Sequence, residues 1–329
     1  MPPAKRQPTG PPPPPTVQRL RVRYAKRGRM RFSSHRDIAR ALERALRRAA
    51  VPVAYSAGFS PHPKVSYVGA APTGVASEAE YLEIGVVARL DPVRVREALD
   101  DSLAPGLDVV DVVEAVPGTG SLPERIDASR WEVRLPGVEP DAAREAVAAL
   151  LAADRVEVER RTKDGRRTLD ARGPVVSLTV ADPAGPVGAA DPPAGDDDGA
   201  PGAGRGGAGG PCAILRLVVR HVTPAVRPDD VLAGLRLVAA LELPVPPSAT
   251  RLEQGLLGDD GRIADPLAPD REAVPVPGAP GPTGQAGGAA APATEPLPGS
   301  SGTTQTSGSG LPPDPAPPAP DHGATTRRP

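Results

Sequence analysis

Two short stretches near the N-terminus hold the side chains best suited to chemistry. In GFSPHPK, residues 58–64, Ser60, His62 and Lys64 follow Phe59. Gly58 permits a tight or left-handed turn, and Pro61 and Pro63 fix φ on either side of His62. A hydroxyl, an imidazole and an ammonium would thus be presented on a stiff base, an arrangement that suits phosphate contact because little ordering remains to be done on binding. A loop that merely holds a sheet edge would use the same residues. Upstream, Arg29, Arg31, His35 and Arg36 precede or open a predicted helix, whose free N–H groups and dipole attract anions. Arg40, Arg44 and Arg47 continue along that helix as a stripe able to follow a phosphate backbone. A charged helix face is ordinarily a solvated one. Here the near absence of acids weighs against that reading.

The charge distribution carries this argument. The chain of 329 residues has 39 Lys and Arg against 40 Asp and Glu, for a net charge of −1. Residues 17–64 alone hold 13 bases and 2 acids, a net +11, so the remainder sums to −12. Residues 65–120 reverse the balance, with 10 acids and 3 bases. Six of the seven aromatic residues (Tyr24, Phe32, Tyr55, Phe59, Tyr67 and Tyr81) also fall in the N-terminal third, and Trp131 is the seventh. Tyr24, Tyr67 and Tyr81 sit in strand-like runs and suit a core. Phe59, in a Gly/Pro loop, does not.

Other chemistries find little support. The single cysteine, Cys212, allows no disulfide, and next to a strand-like run it reads as a small buried residue. The four histidines, His35, His62, His221 and His322, lack ligand spacing, so neither a metal nor another cofactor is expected. No G-x-S-x-G, P-loop, G-x-G-x-x-G or H-E-x-x-H motif is present. His35 with Asp37, or His62 with Glu83, could be built into an acid–base pair, although nothing in the spacing requires it. No apolar run reaches the length of a membrane span, and the N-terminus lacks the apolar stretch of a secretory signal. A cytoplasmic location is the expectation.

The elements that must position these residues follow from periodicity. Residues 17–27 alternate apolar and basic side chains, as a half-buried strand does. Residues 34–50 form a helix capped by Ser34, with Asp37 as the capping-box partner. Ile38, Leu42, Ala45 and Leu46 face one way and the arginines the other. Strands over 53–70 (interrupted by the loop) and 80–88, a helix over 91–103 opened by Asp91 and Pro92, and a strand over 107–116 complete a β-α-β-β-α-β order. The order recurs over 130–257: strand 131–135, helix 140–153, strand 155–162, strand 168–180, strand 213–221, helix 228–241 and a last strand over 250–256. The expected architecture is α+β, with two ferredoxin-like lobes in tandem at 17–120 and 130–257. Residues 1–16, 182–211 and 258–329 are dominated by Pro, Gly, Ala and small polar residues and are expected to be disordered.

The segment RGRMRFSSHRDIARALERALRRAAVPVAYSAGFSPHPKVSY, followed by SEAEYLE at 77–83, resembles the radical-SAM-linked protein family, a bacterial domain of unknown function. GRRTLDARGPVVSL and HVTPAVRPDDVLAGL resemble that family's basic strand pair and its Arg-Pro-led helix. The resemblance spans roughly 17–257 and is most specific over 28–83. Arg36 departs from it, standing where the family pattern has an apolar residue. Relatives occur beside or fused to radical SAM proteins, and some are encoded near ribonuclease genes. Lacking a C-x3-C-x2-C motif, this chain resembles the stand-alone form. The resemblance supplies context but no reaction. Together these observations lead us to expect an RNA-binding accessory protein for RNA modification or processing, acting on tRNA or rRNA, with a radical SAM protein or ribonuclease as partner. Two alternatives stand beside it: an adaptor for a radical SAM enzyme, and an RNA-acting enzyme using His35, His62 and Lys64.

Overall fold

Alternation along the first strand dictates where the sheet buries its sides. In β1 (Gln18–Lys26) Leu20, Val22 and Tyr24 are buried on one face. Their neighbours in the sheet are β3 (Ala76–Val86) and β4 (Leu107–Glu114), both antiparallel to β1. Against that face pack Ile38, Leu42, Ala45 and Leu46 of α1 (His35–Arg48) and Val95 and Leu99 of α2 (Pro92–Asp100). Ser34 and Asp91 cap these two helices as expected, accepting from Asp37 N and Val93 N. β2 (Val65–Val68) pairs with the far edge of β3. In a computed structural model of the chain, residues 13–162, 165–181 and 210–273 are described, all within one compact unit.

The second half adds four strands to the same sheet, two helices and a separate ribbon. β5 (Ala128–Pro136) lies between β10 (Ser248–Gly255) and β9 (Cys212–Arg220), and β8 (Val175–Val180) borders β9, all antiparallel. α3 (Pro140–Ala152) and α4 (Pro228–Ala239) close a second core around Val133, Leu135, Leu215 and Leu217. The expected strand over 168–180 is broken in two. A turn at 171–174, closed by Val175 N bonding to Arg172 O at 3.0 Å, separates β7 (Gly165–Asp170) from β8. β7 pairs instead with β6 (Glu157–Thr162) in a separate two-stranded ribbon.

The result is a mixed α+β fold built on one large sheet, in the order β4-β1-β3-β10-β5-β9-β8. The halves join through a short parallel pairing, Thr250 beside Ala76 and Arg251 beside Ser77. Side chains reinforce this seam. Arg251 donates to Ser77 Oγ (3.2 Å) and Gly69 O (2.6 Å) and pairs with Glu80, while Gln254 Nε2 donates to Ala79 O. Glu80 also accepts from Ala71 N, and Lys26 Nζ donates to Pro72 O at 3.0 Å, so segment 69–74 is held down over three buried charges.

Two expectations require correction. Residues 258–273 do not form part of a disordered tail. They cross the face opposite the helices, with Leu267 fully buried beside Tyr81 and Val113, and end in α5 (Ala268–Ala273), whose Asp270 is buried among arginines. Cys212 is exposed rather than buried, because it opens β9 one residue before the inward-facing Ala213. The remaining segments expected to be disordered, apart from short flanks at 13–16 and 210–211, lie outside the described residues. No described helix is long and apolar enough to cross a membrane.

Candidate nucleic-acid interface

The basic excess of residues 17–64 divides into two populations. The cations of β1, and Arg27 just after it, are engaged within the fold, some by carboxylates and some by backbone carbonyls. Arg19 and Arg21 pair with Glu83, Arg21 also with Asp270, and Arg27 with Glu78 and Asp108. Arg23 donates to Glu78 O, and Lys26 is buried at the seam. Burial pushes the Lys26 ammonium down from its ordinary value, and the nearby Arg251 charge adds to this against the pull of Glu80. Much of the charge asymmetry along the sequence therefore reflects sheet pairing between basic β1 and acidic β3 and β4.

The helix cations are different. Arg36, Arg40, Arg44 and Arg47 are exposed on the outer face of α1. Arg40 stands 4.0 Å from Asp37, at the limit of an ion pair. Arg36, Arg44 and Arg47 have no ion pair among the described residues. Asp37 is itself held below its ordinary value, first by the Ser34 hydroxyl and then by the Arg40 and Arg36 charges. The C-terminal Arg48 turns away to bond with Ser102 O.

At the N-terminal end of α1 a 3-10 turn, Gly28–Phe32, delivers Arg29 and Arg31. Arg29 is exposed. The Arg31 guanidinium lies 4.7 Å from the centroid of the Phe32 ring, and Phe32 is 60% exposed. Arg31 Nε is buried with no hydrogen-bond partner among the described residues. Behind this pair the His35 ring meets Tyr67 of β2 edge-on, with centroids 5.0 Å apart. Tyr67 Oη is likewise buried and unpartnered. Burial, with a smaller push from the Glu43 charge, raises the phenol well above its ordinary value, so it remains a donor at any physiological pH. An exposed aromatic face, a guanidinium, an imidazole and a helix N-terminus thus share one corner. Such a corner can stack a base and hold a phosphate.

Segment 54–64 forms a hairpin-like projection rather than part of that corner. Tyr55 bridges to Pro63, Ser56 N donates to His62 O at 2.9 Å, and Ser56 Oγ accepts from His62 N at 3.0 Å. Gly58 has φ +147°, within the range that favours glycine. Phe59 stands 72% exposed at the tip, flanked by exposed Ser60. Lys64 Nζ donates to Thr16 Oγ1 at 3.1 Å. The projection enters β2 at Val65, whereas His35 meets Tyr67 near the other end of that strand. The structure therefore carries His35, Arg40, Arg44 and Arg47 on α1, with Arg31 in the turn that precedes it, and Phe59, Ser60, His62 and Lys64 on the projection.

Neither hypothetical acid–base pair forms. Asp37 bonds to Ser34, and Glu83 is taken by Arg19 and Arg21. Among the described residues no group of three His, Cys, Asp or Glu is placed to hold a metal ion. The polar seam of Lys26, Ser77, Glu80 and Arg251 escaped sequence reasoning. Its one visible sign is charge at inward-facing strand positions, as with Arg251 opposite Trp131.

Residues 19–228, almost two thirds of the chain, match the model of a bacterial family described as "uncharacterized protein conserved in bacteria" (DUF2344). The chain belongs to this family. The match begins in β1 and ends at the first residue of α4. It therefore includes the whole α1 corner, the projection and the β6–β7 ribbon, and it leaves out β10, half of the seam. No curated protein matches the chain.

Proposed function

We propose that this protein is a cytoplasmic, RNA-binding accessory factor that assists RNA modification or processing, with tRNA or rRNA as its ligand. The observation that carries the reading is the outer face of α1. Arg36, Arg40, Arg44 and Arg47 line it while the strand cations are engaged internally by carboxylates or backbone carbonyls. A cationic stripe whose one internal pair is the exposed 4.0 Å contact of Arg40 with Asp37 is available to displace counterions from a phosphate backbone. Phe32 and Arg31 at its end add a sequence-tolerant stacking surface.

Two further features support the setting. The halves read as tandem ferredoxin-like units, a reading supported by the orders β4-β1-β3-β2 and β10-β5-β9-β8, with a helix after the first and third strand of each. The resemblance of residues 28–83 to radical-SAM-linked proteins supports a radical SAM enzyme or a ribonuclease as the working partner. One observation favours a second reading, an adaptor for such an enzyme. Phe59 and Tyr55 are large, exposed and set apart from the arginine stripe, as a protein-docking tip would be.

The decisive experiment is binding of the purified chain to total tRNA, an rRNA fragment and duplex DNA across a salt series, beside an Arg40→Glu, Arg44→Glu, Arg47→Glu variant. RNA binding with a steep salt slope, flattened in the variant, is expected. Absence of RNA binding at about 100 mM salt, where multi-phosphate contacts persist, would remove the RNA reading and leave the adaptor.

A further inference from the structure

The β6–β7 ribbon places like charges directly opposite one another. Arg160 faces Arg167 and Arg161 faces Arg166 across the two strands. Such pairs oppose strand association unless something offsets them. Arg160 is offset internally, by Asp230 at 2.8 Å and Ala225 O at 3.0 Å, and Arg166 by Glu159 at 3.1 Å. Arg161 and Arg167 are exposed and have no ion pair among the described residues. The fold thus retains two unneutralised guanidinium groups on the ribbon, Arg167 on the face it shares with Arg160 and Leu169, and Arg161 on the other face.

At the base of the ribbon a cleft of about 460 Å³ opens between β7 and segment 220–226. Leu169, Pro174, Val222 and Val226 supply apolar walls, Arg155 and Arg220 line it with their cations, and Asp170, whose carboxylate is bound by the backbone N–H groups of Val156, Arg172 and Gly173, completes it. Arg155 pairs with Glu157 at 2.7 Å, while Arg220 has only Asp127 at 3.8 Å. Apolar walls with cations at the edge match the chemistry of a nucleobase flanked by phosphates. Arg160 fixes the geometry, because its bonds to Ala225 O and Asp230 tie the ribbon to the opposite wall.

We propose that the ribbon and this cleft form a second contact for single-stranded RNA, with one unstacked base in the cleft and neighbouring phosphates against Arg167 and Arg220. This rests on the RNA reading of α1 and adds a site remote from it in sequence. A single strand fits better than a duplex. The major groove of A-form RNA is too deep and narrow for side chains to read, whereas splayed bases of single strands are readily taken into pockets.

The test uses the full chain, a labelled mixed-sequence single-stranded RNA and its duplex. An Arg167→Glu variant should bind the single strand about threefold or more weakly, with a salt slope shallower by about 0.7, the value of one contact. Val222→Glu, at a partly exposed wall position, should weaken the single strand more than the duplex. Unchanged thermal unfolding would show that both variants remain folded. If the α1 variant loses RNA while the ribbon variant retains full affinity, this proposal fails and the α1 reading stands. If Val222→Glu affects duplex and single strand equally, the cleft does not hold a base and the proposal fails. If the unaltered chain binds no RNA, both readings fall.

Discussion

Asp270 Oδ2 lies 2.7 Å from Arg21 Nη1, joining the last described helix to the first strand across 249 positions of sequence. The same carboxylate accepts from Arg125 Nη1 at 2.6 Å, Thr119 Oγ1 at 2.8 Å and Val116 N at 3.1 Å, and it is fully buried. It holds the strap of residues 258–273 onto the sheet face. Burial alone would raise its pKa, but the bonds from Arg125, Val116, Arg21 and Thr119 outweigh burial and hold it below the ordinary 3.8. A depressed carboxyl pKa stabilises the fold fully above the unfolded value, and this contribution is lost as pH falls through the folded value. Asp270→Asn should therefore cost about 3–5 kcal/mol at neutral pH, the range for breaking a buried pair. It should also make the acid limb of stability below about pH 4 shallower than in the unaltered chain. Urea unfolding at both pH values measures this. An Asn variant as stable as the parent at neutral pH would show that the strap is not held by charge.

The seam gives a second prediction. Glu80 and Arg251 are buried partners on strands from different halves, and Arg251 also meets the Trp131 ring at 5.5 Å. Arg251→Met should leave Glu80 without its buried partner and lower stability by about 3–5 kcal/mol. Replacing both, as Glu80→Gln with Arg251→Met, should recover part of the loss, because Glu80 then carries no unpaired charge and only Lys26, held by the Ala71 and Pro72 carbonyls, remains charged at the seam. A double-mutant cycle in urea gives the coupling. Strictly additive losses would mean that the pair does not act as one unit.

Much of this architecture was legible in the sequence, and what was hidden has a physical reason. α1 could be read because its signals are local: a Ser34 cap, apolar residues at helical spacing and arginines between them. β1 could be read from alternation, whereas β3, buried along most of its length, begins at Ala76, four residues before the expected start. The seam could not, since Arg251 and Glu80 are 171 positions apart and no periodicity marks their meeting. The strap was masked by composition, because the Pro- and Gly-rich tail begins around the same positions and hides Leu267 and Asp270 within it. The break between β7 and β8 was visible as the Gly173-Pro174 dipeptide, a turn signal, but the β-rich residues on both sides obscured it. For the site, residue types were legible and grouping was not. The sequence gives no hint that His35 meets Tyr67 while His62 bonds back to Ser56.

Phe32 is expected to act in binding and not in folding. It is 60% exposed, and Arg31 lies against its ring. Phe32→Ala should leave thermal unfolding almost unchanged, within about 0.5 kcal/mol as for surface substitutions. It should weaken RNA binding by about 1–3 kcal/mol, the value of one stacked base. Fluorescence anisotropy beside a thermal melt separates the two. A variant that loses stability instead would place Phe32 in the core.

Tyr67 supplies the sharpest contrast between stability and function. Its ring packs on His35 and the α1 core, while its hydroxyl is buried without a partner. A buried, unsatisfied hydroxyl costs free energy. Tyr67→Phe keeps the ring and removes that cost, so the free protein should be unchanged or more stable by up to about 1–2 kcal/mol. If the hydroxyl donates to a phosphate or base at this corner, the same variant should bind RNA more weakly, by about 0.5–1.5 kcal/mol for one neutral hydrogen bond. Thermal unfolding of the free chain and RNA titration on one preparation give both numbers. Higher stability with weaker binding would mark Tyr67 Oη as a ligand-facing donor. Higher stability with unchanged binding would make it a packing residue and confine the interface to Arg31, Phe32 and the arginines of α1.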